Sequence, residues 1–270
     1  MDPCTDMPIR RFRDGKFSSV ADAVVREARV ELIVNEDELR LAMLCLPREL
    51  PELAVGFLRA EGALRRREDL AAADYDPSAS AVRVRGAFDP DALEAIRRRW
   101  TWGTGCGGGG TSASLNPDAY RTVGEGLVVR AEALVEQTRR FQQSVDLWKA
   151  TGGVHACALA GTDRIEIVAE DIGRHNAFDK VIGRAFLDGV ETRDKMLLTT
   201  GRLSAEMVSK AVASPLPIVV GRGAVTDLAV EMARRFGITL VGFARAGRFS
   251  VYTGFQRIVA DAASADGKTP

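Results

Sequence analysis

Two kinds of residue in this chain are placed where they could do chemistry. The first is Cys106, inside the run TWGTGCGGGGTSASLNP from Thr101 to Pro117. Four consecutive glycines follow it, so the run has no periodicity and offers bare backbone N–H groups around the sulfur. A thiolate near such groups, or near Arg97 to Arg99, has a lowered pKa and can attack a sulfur donor. Cys45 and Cys157 lie inside apolar segments and read as small buried hydrophobes, while Cys4 sits in a frayed tail. The second kind is arginine preceded by glycine. Gly173-Arg174, Gly201-Arg202, Gly221-Arg222 and Gly247-Arg248 each follow a segment that reads as a β-strand. Arginine supplies planar, permanently charged donors suited to phosphate, and glycine lets backbone come close. Four such loops on one sheet edge would make an anion site for a pyrophosphate or nucleotide. A fifth dipeptide, Gly183-Arg184, falls in mid-helix and reads as incidental.

The elements that must hold these residues follow from periodicity. Arg29 to Val34 and Leu39 to Leu46 read as strands joined by a turn at Glu36-Asp37-Glu38, and the first stretch before them as an arm. Pro51 to Leu64 reads as a helix, Val82 to Arg85 as a short strand, and Asp89 to Trp100 as a helix capped by Asp89. Arg130 to Thr151 reads as one long helix stopped by Gly152-Gly153. Val154 to Ala160 and Arg164 to Ala169 form a hairpin. Strands Lys195 to Thr200, Ile218 to Val220 and Ile238 to Phe243 then alternate with helices Asn176 to Leu187, Ser204 to Ala213 and Thr226 to Phe236. Such crossovers give parallel strands. The expected fold is α/β, with a smaller N-terminal α+β domain over 1–127, a three-layer C-terminal domain over 128–259, and a disordered tail over 260–270.

Composition narrows the function classes. The 270 residues carry 37 basic and 37 acidic side chains, so any anion site is local and no bulk attraction for nucleic acid or membrane exists. No apolar run approaches the roughly 20 residues that span a bilayer, and the N-terminus has no apolar signal core, which points to the cytoplasm. The four cysteines form no CxxC pair and only His155 and His175 are present, so no metal site is expected. Gly103 to Gly108 spells GxGxxG without the strand and helix that give it meaning, and no GxxxxGK[ST] run or HxE…PCxxC signature is present. A nucleotide hydrolase is therefore not expected.

At these residues the chain resembles the FdhD family, the formate dehydrogenase accessory sulfurtransferases. The stretches concerned are LPRELPELAVGFLRAEGAL (46–64), GTGCG (103–107), TGGVHACAL (151–159), EDIGRHNAFDKVIG (170–183), TTGRLSAEMVSKA (199–211) and TLVGFARAGRFSVYTG (239–254). The resemblance implies a C-terminal domain like that of cytidine deaminases without the zinc, and a homodimer. It implies a carrier that takes sulfur as a persulfide from a cysteine desulfurase and passes it to the bis(molybdopterin guanine dinucleotide) molybdenum cofactor for formate dehydrogenase. The persulfide residue is then Cys106, and the cofactor-binding stretch is Phe243, Ala244, Arg245, Ala246, Gly247 and Arg248. Many relatives carry a second loop cysteine where this chain has Gly109, so Cys106 would load and release sulfur alone. The alternative reading is a chaperone that binds and delivers the cofactor without covalent sulfur chemistry. His175 and Asp171 are candidates to orient a ligand, or to fill a polar pocket and cap a helix. Glu206 reads as a helix-dipole partner.

Overall fold

The computed structural model describes residues 2–99, 122–124, 126–245 and 247–260. Cys106, Gly109, Ala246 and the tail after 260 lie outside the described residues.

The chain opens with a long hairpin, β1 (Cys4–Arg13) and β2 (Lys16–Val25), paired along its whole length. Asp14 and Gly15 turn it at φ 51° and 76°, the left-handed pair that matches strand twist. The sequence shows only an arm here because neither face is continuously apolar. Cys4 is correspondingly not frayed, since it pairs with Val25 and packs against the buried cluster of Leu46, Leu147 and Val154.

Next come β3 (Ala28–Val34), β4 (Leu39–Cys45), α1 (Leu50–Ala60), β5 (Leu70–Asp76), β6 (Ala81–Gly86) and α2 (Pro90–Arg99). The strands form a sheet in the order β4-β3-β6-β5. Asp89 caps α2 by accepting from Ala92 N at 3.1 Å. The apolar side of the sheet, with Leu32, Val34 and Val84, packs on Leu53 and Leu58 of α1.

The remainder comprises β7 (Val129–Arg130), α3 (Ala131–Ser144), α4 (Asp146–Thr151), β8 (His155–Ala160), β9 (Ile165–Asp171), α5 (Arg174–Asp188) and β10 (Met196–Thr199). After these follow α6 (Ala205–Ala213), β11 (Ile218–Gly221), α7 (Asp227–Phe236), β12 (Thr239–Arg245), β13 (Arg248–Thr253) and β14 (Ile258–Val259). Six of the strands form one sheet, β13-β12-β11-β10-β8-β9, and β14 pairs with β7. Strands β10, β11 and β12 are mutually parallel, as the crossovers require. Helices α5, α6 and α7 cover one face through Phe178, Met207 and Ala229, and α3 covers the other through Leu134 and Phe141. The result is a three-layer α/β unit.

The single helix expected over Arg130 to Thr151 is two helices. Val145, at φ −102° and ψ 80°, breaks the ladder, and Glu170 of β9 receives Leu147 N and Trp148 N at the start of α4. The break is thus held by a carboxylate far away in sequence. Helices α1 and α5 cross at close range. A Cβ on Gly56 would lie 1.8 Å from the Asp179 carbonyl oxygen, and one on Gly183 would lie 1.8 Å from that of Glu52. Gly183, which looked incidental in the sequence, is required by this crossing.

Candidate functional site

Strand β8 is antiparallel to both β9 and β10, so β9, β10, β11 and β12 all run the same way. Their carboxyl ends share one edge with the amino ends of β8 and β13. That edge carries Arg174, Arg202, Arg222, Arg245 and Arg248 with His155 and His175, which is the gathering expected from the Gly-Arg spacing. Ligands of open α/β sheets bind at such an edge.

The loops there interlock through their main chains. Arg222 N donates to Thr199 O at 2.9 Å, Gly223 N to Gly201 O at 3.2 Å, and Phe243 N to Gly223 O at 3.0 Å. A Cβ on Gly223 would lie 2.9 Å from Gly201 O, and one on Gly201 would lie 3.2 Å from Arg174 Cβ. At these two positions glycine lets neighbouring loops approach each other, which sets the arginine spacing before any ligand arrives.

Side chains complete the edge. Arg222 lies over the Trp148 ring, 4.7 Å from its centroid, so the guanidinium is held against the first turn of α4. Phe243 has φ 52° and is 43% exposed. A bulky residue in that conformation is strained, and here it presents an aromatic ring at the end of β12. Thr200 Oγ1 accepts from Ala156 N at 3.0 Å and lies 3.4 Å from His155 Nδ1. Burial pushes the His155 pKa down, and the charges of Arg174, His175 and Arg202 push it the same way. His175 Nε2 sits 3.0 Å from Glu206 Oε2, and this close imidazole holds the Glu206 carboxyl below its usual range. Among the described residues nothing accepts from the buried Nε of Arg174. The edge is a preformed cluster of cations with an unanswered donor, and an anion with phosphate geometry fits it.

Asp171 does different work. It is fully buried, receives Gly173 N and Asn176 Nδ2 on Oδ1, and receives Leu46 N and the Lys180 ammonium on Oδ2. All its acceptor capacity is used inside the protein, so it fastens the loop and does not touch a ligand. His175 lies against Glu206 at ion-pair distance, and Glu206 faces that imidazole in addition to lying in the first turn of α6. His155, Thr200 and Trp148 were not singled out from the sequence. Trp148 there looks like one more apolar position of a long helix, and His155 like the first residue of a strand.

The thiols divide as their surroundings dictate. Cys45 and Cys157 are buried, and desolvation pushes both pKa values up to about 12. Neither is a nucleophile at neutral pH. Of the arginines expected near Cys106, Arg97 and Arg98 are both paired with Glu94. Among the described residues no cluster of histidine, cysteine and carboxylate could hold a metal ion.

The fold and the edge together define an α/β protein with arginines gathered at the carboxyl ends of its parallel strands. Comparison with known proteins makes this more specific: residues 25–259 match the FdhD/NarQ family model, and the chain belongs to that family. The sulfur carrier protein FdhD of Wolinella succinogenes is 36% identical over 251 residues, covering 93% of this chain and 87% of that protein. The sulfur carrier protein FdhD of Bacillus subtilis is 34% identical over 250 residues, covering 92% and 95%. A crystal structure from Desulfotalea psychrophila, described as a formate dehydrogenase accessory protein, superposes with a TM-score of 0.79 at 23% identity. It covers 96% of this chain and 100% of that one, and it supports the mixed α/β fold. Among the described residues no helix is long and apolar enough to cross a membrane.

Proposed function

We propose that this protein is a sulfur carrier that loads sulfur on Cys106 and delivers it to a bis(molybdopterin guanine dinucleotide) molybdenum cofactor held on the arginine edge. The observation that carries the reading is the convergence of Arg174, Arg202, Arg222, Arg245 and Arg248 on one sheet edge, in a member of the FdhD/NarQ family. The cofactor is cargo here, and its guanine dinucleotide phosphates match the donors. Phe243 offers a ring face for a base, and Phe243 to Arg248 is the stretch we assign to cofactor contact.

In the loading step the Cys106 thiolate attacks the terminal sulfur of a desulfurase persulfide. A new S–S bond forms, the donor's S–S bond breaks, and its electron pair leaves on the donor thiolate. In delivery the acceptor supplies the electron pair for its new bond to that terminal sulfur, the S–S bond breaks, and the Cys106 thiolate departs with the S–S bonding pair. With Gly109 in place of a second thiol, no disulfide within the loop can drive release. That same glycine favours the chaperone reading, in which the cofactor is held and passed on unmodified to formate dehydrogenase.

Intact-protein mass spectrometry after incubation with a cysteine desulfurase and cysteine separates the two. A single added sulfur mapping to Cys106, absent in Cys106→Ala, is expected. Arg248→Ala should keep that adduct while losing affinity for guanine nucleotide. If Cys106→Ala still takes up sulfur and still activates formate dehydrogenase, the carrier mechanism is wrong and the chaperone reading stands.

A further inference from the structure

A second arginine-rich site lies at the opposite end of the six-stranded sheet. There the segment after α1 meets the end of α5 and the end of α6 around a cavity of about 320 Å³. Four arginines line it, Arg59, Arg65, Arg66 and Arg67, against the carboxylates of Glu68 and Glu191. Two of the four are already neutralised, Arg65 by Asp89 and Arg66 by Asp69. The other two make no ion pair among the described residues. Arg67 Nη1 donates to Phe186 O at 2.9 Å, and Arg59 Nη1 to Leu64 O at 3.3 Å, with its guanidinium 5.1 Å above the Phe186 ring. Both are anchored by main chain or ring, with other N–H donors left over. Burial works against the Arg59 charge and pulls its pKa down, with Glu191 only partly offsetting the loss.

An independent feature points to the same space. Ser214 lines the cavity and is only 2% exposed, yet its Oγ has no hydrogen-bond partner. Its main chain is fully employed, with N donating to Lys210 O and the carbonyl accepting from Thr192 Oγ1. Buried hydroxyls are nearly always bonded, so a lone one facing an arginine-lined cavity is a donor awaiting an acceptor.

We infer that this cavity binds a phosphate-class dianion, bridged between Arg59 and Arg67 and receiving the Ser214 hydroxyl. Of the lining carboxylates, Glu68 pairs with Arg66 and Glu191 acts on Arg59 from beyond ion-pair distance, so a dianion spanning Arg59 and Arg67 meets two guanidiniums that make no ion pair among the described residues. The forked guanidinium donors fit tetrahedral oxygens two at a time. Because Arg59 on α1 and Arg67 just before β5 belong to the N-terminal sheet-and-helix unit while Ser214 ends α6, the ligand would clamp the two halves of the chain from the side away from the arginine edge. The site is independent of the proposed sulfur chemistry.

Calorimetric titration of the full chain with inorganic phosphate tests this, in an Arg248→Ala background that weakens the strand-end site. Saturable binding is expected there, with affinity lowered about tenfold or more by adding Arg67→Ala. Arg67→Lys, which keeps the charge and loses the fork, should fall between the two. Ser214→Ala should weaken phosphate binding without lowering the melting temperature in phosphate-free buffer, since its hydroxyl bonds to nothing there. Unchanged affinity in Arg67→Ala, absence of saturable binding, or acetate competing as well as phosphate would each overturn the assignment.

Discussion

At the scale of single residues, His155 is the group whose titration reports most directly on the candidate site. It faces Arg174, His175 and Arg202 across the edge, with Thr200 bonded beside it and Glu206 reached only through His175. Burial and three neighbouring positive groups favour its neutral form, so its folded pKa lies below the ordinary 6.5. The folded protein then binds fewer protons at His155 than the unfolded chain does, and stability at this residue rises with pH up to about 6.5. It is lost again as pH falls through the folded value. With only two histidines in the chain, nuclear magnetic resonance resolves both, and His155→Gln assigns the signals. The expected midpoint for His155 is below 6.5, moving upward when a guanine nucleotide places phosphate near the arginines. A midpoint at or above 6.5 in the free protein would mean that the arginines do not act on this imidazole.

At the scale of elements, the crossing of α1 on α5 is where sequence and structure inform each other best. Helix propensity alone favours Gly56→Ala by about 1 kcal/mol, because alanine is the better helix former. The crossing reverses the sign, since the new methyl would meet the Asp179 carbonyl at 1.8 Å and backbone cannot step aside as a side-chain tip can. Overpacking of this kind costs about 1–3 kcal/mol or more. Urea unfolding should therefore show Gly56→Ala and Gly183→Ala each destabilised by roughly 2 kcal/mol. Stabilisation of either variant would show that the helices are not in contact.

The same elements show what the sequence makes legible. Strands β3, β4, β8 to β12 and helices α5 to α7 have clean alternation or helical spacing, and each lies within a few residues of expectation. Strand β5 was missed because Leu70-Ala71-Ala72-Ala73 alternates in nothing, and β13 because Arg248 to Thr253 reads as the end of a loop motif. Apolar spacing continues through Val145, so only Glu170, brought over by the fold, reveals the start of α4. The arginine edge was legible because each Gly-Arg pair sits just past a strand. The partners of Asp171 were not, since Leu46 comes to it from a distant segment and Lys180 reaches it only through the turn of α5 back onto β9.

At the scale of the whole molecule, those partners join the N-terminal unit to the C-terminal one. The buried Lys180 ammonium contacts Asp171 at 2.7 Å and donates to Leu46 O and Glu170 O, so it is shared between β4's end and β9. Nearby, Lys210 meets both Asp179 oxygens at 2.7 Å, 5.9 Å from the centroid of the Phe57 ring on α1. Removing one member of such a pair leaves a charge with nowhere to go, at a cost of about 3–5 kcal/mol, while removing both costs less. Asp171→Asn should therefore be strongly destabilised in urea, and Asp171→Asn with Lys180→Met should recover much of the loss. Because asparagine has one acceptor oxygen where the carboxylate has two, Leu46 N and Gly173 N can no longer both be received, and hydrogen exchange should open Leu46 together with the amides of Gly173 and Ala177. If the loop after β9 opened while Leu46 kept its protection, the two halves would be joined chiefly by the α1–α5 crossing and not by this buried charge pair.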